Sequence, residues 1–265
     1  MRRNETKEKL LRGDAVFGSV LQQYRSVEIV RAFAAAGFDY VFIDAEHGAF
    51  DIETIQDLAR ACCHTGLTAL VRVAELSYGL VARALDVGAD GVILPRVEDP
   101  EVLREAVLWT KFPPLGKRGF GITAPRLDYE AASFPDIIRH SNDNTLVVVQ
   151  FETRTALERA QELLAVPGVD VGLVGPSDLS IALGVPGEFD SPVLRDAVVR
   201  FIETCARFGV VPGIQVRTVA LATEWLRRGM RFVGCGSEHT MLLERARETV
   251  GVLRAAAVRA AGAER

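Results

Sequence analysis

Short apolar runs alternate with longer stretches of helical periodicity along the whole chain. AVFGSVL (15–21) precedes a helical pattern over 26–36, DYVFID (39–44) one over 51–66, and TALVRV (68–73) one over 77–87. DGVILP (90–95) is followed by 99–110, TLVVVQF (145–151) by 153–165, and VDVGLVG (169–175) by a short turn near 177–183. VVPGIQV (210–216) precedes 217–229, and RFVGCG (231–236) precedes 238–259. The strand candidates are nearly continuous in apolar residues, as expected of parallel strands covered by helices. Gly37, Gly66, Gly88, Gly209 and Gly229 fall just past helical runs, where a left-handed residue ends a helix. Eight strand–helix units predict a single-domain (β/α)8 TIM barrel over 1–265, with its core at about 12–255. A doubly wound open sheet is the alternative.

Residues 111–144 break the rhythm. This stretch, rich in Pro and Gly, predicts an inserted active-site loop or lid on the strand-end face. The last helix, 238–259, is expected to pack on its own barrel or on a neighbouring subunit.

Composition narrows the class. The 265 residues are 49% hydrophobic and 25% charged, with 23 Gly and 11 Pro, which excludes a disordered or collagenous chain. A net charge of −4 argues against a nucleic-acid partner. No apolar stretch is long enough for a membrane span, and the N-terminus lacks a signal-like apolar run, so a cytoplasmic protein is expected. Cys62, Cys63, Cys205 and Cys235 lack CxxC spacing, so free thiols are expected rather than a zinc site.

In a barrel, chemistry belongs at the strand exits. Strand two ends Asp44-Ala45-Glu46-His47, strand three carries Arg72, strand five ends Gln150-Phe151-Glu152, and strand six runs out at Gly175-Pro176-Ser177-Asp178. Glu152 and Asp178 are two carboxylates on neighbouring exits, an oxygen donor pair for Mg2+ or Mn2+. The alternative is that Glu152 pairs with an arginine and Asp178 caps the short helix. His47, beside Asp44 and Glu46, can move a proton near neutral pH. Arg72 inside an apolar strand needs an anion: a substrate carboxylate, a developing enolate oxygen, or a buried pair with Asp44 or Glu46. His64, His140 and His239 are read as structural. Lys117 and Arg118, in GKRGFG, read as a solvated basic loop or as a site for a distal carboxylate. The four lysines, Lys7, Lys9, Lys111 and Lys117, avoid the core strands, which argues against a Schiff-base aldolase.

FIDAEHGAFD (42–51), LVRV (70–73), LDVGADGVILPRVEDPE (85–101), GKRGFG (116–121), VVQFETRTALE (148–158) and GLVGPSDLSIALG (172–184) are similar to the HpcH/HpaI aldolases. The resemblance runs from about residue 12 to about 255. It implies a metal-dependent class II aldolase that cleaves a 4-hydroxy-2-oxo acid into pyruvate and an aldehyde through a metal-bound pyruvate enolate. It implies Glu152 and Asp178 as metal ligands, with Mg2+, Mn2+ or Co2+ as the cofactor. It makes His47 the catalytic base and Arg72 the group stabilising the enolate. Asp86 would raise the basicity of that histidine, and Asp44 would lie within its reach. Gln150 would bind the pyruvyl group, and Ser177 with Gly175 and Pro176 its carboxylate. The resemblance further implies a homohexamer acting on small molecules, a 2-oxo acid and a hydroxyaldehyde. Gln215 stands where some members of the homoprotocatechuate pathway carry an apolar residue, so a dicarboxylic and a sugar-acid substrate remain alternatives. Competing readings are an oxaloacetate decarboxylase, an acyl-CoA lyase and a non-catalytic 2-oxo-acid binding protein.

Overall fold

The computed structural model describes residues 1–263. Eight parallel strands close into a barrel in sequential order: β1 (Val16–Leu21), β2 (Tyr40–Asp44), β3 (Thr68–Arg72), β4 (Gly91–Leu94), β5 (Leu146–Phe151), β6 (Val171–Val174), β7 (Val211–Val216) and β8 (Phe232–Ser237). Closure between β1 and β8 excludes the open-sheet alternative. No helix among the described residues is long and apolar enough to cross a membrane.

The helices are α1 (Glu5–Leu11), α2 (Glu28–Ala36), α3 (Ile52–Thr65), α4 (Tyr78–Val87), α5 (Pro100–Leu108), α6 (Phe134–Asn144), α7 (Arg154–Glu158), α8 (Ala160–Leu164), α9 (Pro176–Ala182), α10 (Pro192–Phe208), α11 (Val219–Arg227) and α12 (Glu238–Ala263). Local chemistry sets their ends. Asp51 caps α3 by accepting the Thr54 N–H at 2.8 Å, and Gly66 ends it at φ 83°.

Each strand alternates between two cores. Tyr40, Phe42, Leu70, Ile93, Leu146, Val148, Val171 and Leu173 fill the barrel interior. Val41, Ile43, Val71, Val147, Val149 and Phe151 face outward to the helices. Period-two alternation then fixes the next inward position at the exits of β2, β3 and β5. Those positions are Asp44, Arg72 and Gln150, and Asp44 is in register with Arg72 on the adjacent strand.

The N-terminal end of the barrel is closed by α1, an element the sequence pattern did not reveal. Leu10 of α1 packs into the barrel interior. Lys9 pairs with Asp39 at 2.5 Å, Arg2 with Asp90 at 2.7 Å and Lys7 with Asp170 at 3.1 Å. Each aspartate precedes an even-numbered strand and accepts a backbone N–H from the strand before it: Phe17 at 2.7 Å, Ala69 at 3.0 Å and Val147 at 2.8 Å. The sequence writes this device three times as Gly-x-Asp, at 37–39, 88–90 and 168–170.

Segment 111–144 is not a lid at the strand exits. A helix leaving a strand exit runs back down the outside, so a segment between α5 and β5 starts and ends at the N-terminal end. Lys111 there donates to the carbonyls of Asn142 and Thr145, and Asn144 accepts the Asn4 N–H. Its middle lies against α4 and α5, with Lys117 on Glu105, Arg118 on Asp86 at 2.6 Å and the Gly119 N–H on the Tyr78 hydroxyl. The expected basic surface loop is thus internally neutralised.

The last helix is longer than expected and leaves the barrel. It is exposed from residue 242 to residue 260, Leu242, Leu243, Val252 and Leu253 included, so it does not pack along its own barrel.

Candidate active site

Asp44 and Arg72 form the floor of the site. Arg72 donates Nε to Asp44 Oδ1 at 2.9 Å and Nη2 to Oδ2 at 2.6 Å, a bidentate pair with both residues buried. Burial alone would push the Asp44 carboxyl up, but the bonds and charge of Arg72 outweigh it and hold the group below the usual carboxylate range. Arg72 stacks over the Phe42 ring, and its Nη1 reaches Gln150 Oε1 at 3.4 Å and Glu46 Oε2 at 3.1 Å. The pair with Asp44 or Glu46 set beside a substrate role for Arg72 is therefore present, with both carboxylates.

Asp44 also organises the β2 exit. Its Oδ1 accepts the backbone N–H groups of Glu46 and His47, at 3.1 and 3.2 Å. The ring of His47 is left free: its side chain is 53% exposed, and its Nε2 lies 3.9 Å from Glu46 Oε1. Glu46, not Asp44, is thus the carboxylate beside the imidazole.

Glu152 is buried at the β5 exit and, among the described residues, has no arginine partner. Its Oε2 accepts Gln150 Nε2 at 2.5 Å, and its Oε1 is buried with no hydrogen-bond partner. Burial, then the nearby charges of Glu46 and Asp178, push its carboxyl above the usual range. Gly175 faces this pair, and a Cβ there would come within 2.9 Å of Gln150 Nε2 and 3.1 Å of Glu152 Oε2. Asp178 stands exposed in the first turn of α9 and does not cap it, because Gly175 occupies the cap position.

A cavity of about 520 Å3 opens at the strand exits, and Glu152 is not among the residues that line it. His47, Arg72, Gln150, Gly175, Pro176, Ser177 and Asp178 line it together, with Gln22 and Phe42 at its floor. Asp86 is not among the lining residues. It sits in the last turn of α4, paired with Arg118, so within one chain it does not reach His47.

Four contributors escaped the sequence reading. Gln22, at the β1 exit, donates to Asp44 Oδ2 at 2.7 Å. Glu238, buried at the start of α12, accepts the N–H groups of Gln22, Gln23 and Tyr24 at 2.8, 2.5 and 3.1 Å, and so anchors that exit. Arg96, at the β4 exit, donates to Glu46 at 3.1 Å from a left-handed backbone, φ 53°, which is uncommon away from glycine. His239, expected to be structural, lines the cavity with Thr240 and Arg217.

Among the described residues, no group of three or more His, Cys, Asp or Glu side chains gathers to hold a metal by itself. The buried, unpartnered Oε1 of Glu152 and the carboxylate of Asp178 instead fit an ion that completes its oxygen shell with substrate and water. Lys117 and Arg118, set out above as a site for a distal carboxylate, are taken up by Glu105 and Asp86.

The family model for HpcH/HpaI aldolase/citrate lyase matches residues 23–244. The chain is 33% identical over 245 residues to 2-dehydro-3,6-dideoxy-6-sulfogluconate aldolase of Pseudomonas putida, covering 92% of this chain and 95% of that protein. It is 34% identical over 217 residues to 4-hydroxy-2-oxo-heptane-1,7-dioate aldolase of Escherichia coli, covering 82% of each. Among solved structures, an HpcH/HpaI aldolase from Desulfitobacterium hafniense DCB-2 matches with a TM-score of 0.89 at 31% identity, over 94% of this chain and 96% of that one.

Proposed function

The chain belongs to the HpcH/HpaI aldolase/citrate lyase family, and from that premise we propose how its residues divide the work of a class II aldolase. As a carbon–carbon lyase it cleaves a 4-hydroxy-2-oxo acid into pyruvate and an aldehyde, reversibly. The observation that carries the division is the buried Glu152 carboxylate, with an unpartnered oxygen and a pKa raised by burial and by the charges of Glu46 and Asp178, next to a cavity lined by Gln150, Asp178 and His47.

Glu152 and Asp178 hold a divalent cation, Mg2+ or Mn2+ with Co2+ as a substitute. When bound, it supplies Lewis-acid polarisation of the 2-oxo group. Gln150 and Arg72 orient that group, and Arg72 Nη1 opposes the negative charge that develops on its oxygen. Ser177, with the backbone around Gly175 and Pro176, receives the substrate carboxylate; the N–H groups of Ser177 and Asp178 open α9 and precede its helical bonding. His47 takes the C4 hydroxyl proton as the C3–C4 bond breaks. The aldehyde leaves, and a proton delivered to C3 completes pyruvate. A cytoplasmic setting and a homohexamer belong to the same proposal. Asp86 can support His47 only across a subunit boundary, because its own chain keeps the two apart.

The test is proton NMR of pyruvate in D2O with chelator-stripped protein, before and after Mg2+ or Mn2+. Metal-dependent loss of the methyl signal is expected. In cleavage assays, His47→Ala should lose ~10²–10⁴-fold in rate. Full turnover after thorough chelation, or a His47→Ala rate near that of the parent, removes these assignments.

A further inference from the structure

The cavity has two ends, and their cations differ. At the Gln150–Gly175 end, Arg72 lines the cavity and its charge is paired with Asp44 and Glu46. At the other end, formed by the exits of β7 and β8, Arg217 lines the cavity and is exposed. Among the described residues it makes no ion pair and no hydrogen bond. Glu238, at the β8 exit, is buried and makes no ion pair with Arg217; its Oε1 holds the three backbone amides of residues 22–24, and its Oε2 lies 3.6 Å from His239 Nδ1. Glu244, one turn and a half further along α12, lines the rim but makes no ion pair with Arg217. Thr218, Thr240 and His239 complete this end, and His239 Nδ1 lies 3.2 Å from Ser237 Oγ.

An unpaired guanidinium in a substrate cavity has a chemical meaning. Its planar donor fork matches a carboxylate, sulfonate or phosphate, and contributes little toward an uncharged chain end. The exits of strands seven and eight are also where barrels commonly hold anionic groups. We propose that Arg217 is a specificity residue that receives a terminal anionic group on the aldehyde half of the substrate, with His239 and Thr218 beside it. This rests on the aldolase reading and deepens it: the substrate becomes a 4-hydroxy-2-oxo acid with a second anion at its far end.

Aldol addition of pyruvate tests it with matched aldehydes. Succinic semialdehyde is paired with butanal, and glyceraldehyde 3-phosphate with glyceraldehyde. The readout is the ratio of kcat/KM for the anionic aldehyde over its neutral partner. The wild-type protein should favour the anionic member of at least one pair. Arg217→Ala should lower that ratio roughly 10- to 100-fold, the scale of a charge-assisted hydrogen bond, and Arg217→Lys should restore part of it. A preference for the carboxylate pair over the phosphate pair identifies the anion. A wild-type ratio near unity in both pairs, or a ratio unmoved by Arg217→Ala, overturns the proposal. Metal-dependent exchange of the pyruvate methyl protons separates the two levels. If it persists while the ratio fails, Arg217 is misassigned and the aldolase reading stands. If exchange itself is absent, the aldolase reading falls and the proposal with it.

Discussion

The two ends of the barrel both carry buried or half-buried carboxylates, and they treat them in opposite ways. At the N-terminal end, Asp39, Asp90 and Asp170 each have a cation and a backbone N–H, so each charge is closed within the fold. At the C-terminal end, Glu152 is left with a buried unpartnered oxygen among like charges, and Glu46 Oε2 also lacks hydrogen-bond geometry despite its contact with Arg72. Asp44 is the exception there, closed by Arg72, Gln22 and two backbone amides. Closed charge fixes structure, whereas open charge costs stability and waits for a ligand. The same residue type thus separates the end that holds the barrel shut from the end that reacts.

The largest expected effect comes from removing the open charge. Glu152→Gln keeps the shape of the side chain and its neighbour Gln150, yet should lower kcat by ~10²–10³-fold or more. Thermal unfolding of the same metal-free variant should occur at an equal or higher temperature, because an unfavourable buried charge is gone. A variant that loses stability and activity together would put Glu152 with the structural carboxylates.

The reciprocal change belongs at the other end. Asp90→Ala removes the Arg2 pair and the acceptor of the Ala69 N–H, at a cost of about 2 kcal/mol. Thermal denaturation should show a drop of roughly 4–8 °C in Tm, with kcat of the folded protein unchanged. A loss of kcat without a loss of Tm would break the division between the two ends.

Much of this division is written locally. The strands and most helices follow from apolar runs and terminal glycines, and Asp44, Arg72 and Gln150 follow from strand alternation. Chemical type marks Glu152, His47 and Asp178 as polar groups at exits. The rest needs three dimensions. Gln22 and Glu238 lie far apart in sequence and meet only when β8 closes on β1. Arg96 is set toward Glu46 by a left-handed backbone that an ordinary Arg does not announce. Segment 111–144 looked like a lid because of its composition. Connectivity decides otherwise, since whatever joins a helix to the next strand lies at the end opposite the site.

The smallest effect is also the finest test of open against closed charge. In chelator-stripped protein, Glu152 and Asp44 should pull the stability curve in opposite directions. The folded Glu152 carboxyl is held above its ordinary value, near 4.3, so the native state binds a proton more readily than the unfolded chain. Its contribution is fully present below that ordinary value and is lost as pH rises through the folded pKa. Asp44 is held below its ordinary value, near 3.9, so its contribution is present above that value and is lost as pH falls through the folded pKa. Denaturant midpoints measured from neutral pH downward should therefore first gain from Glu152 and then lose from Asp44. Glu152→Gln should remove the gain and leave the acid loss in place. If the gain survives that substitution, Glu152 is not the open charge of the site.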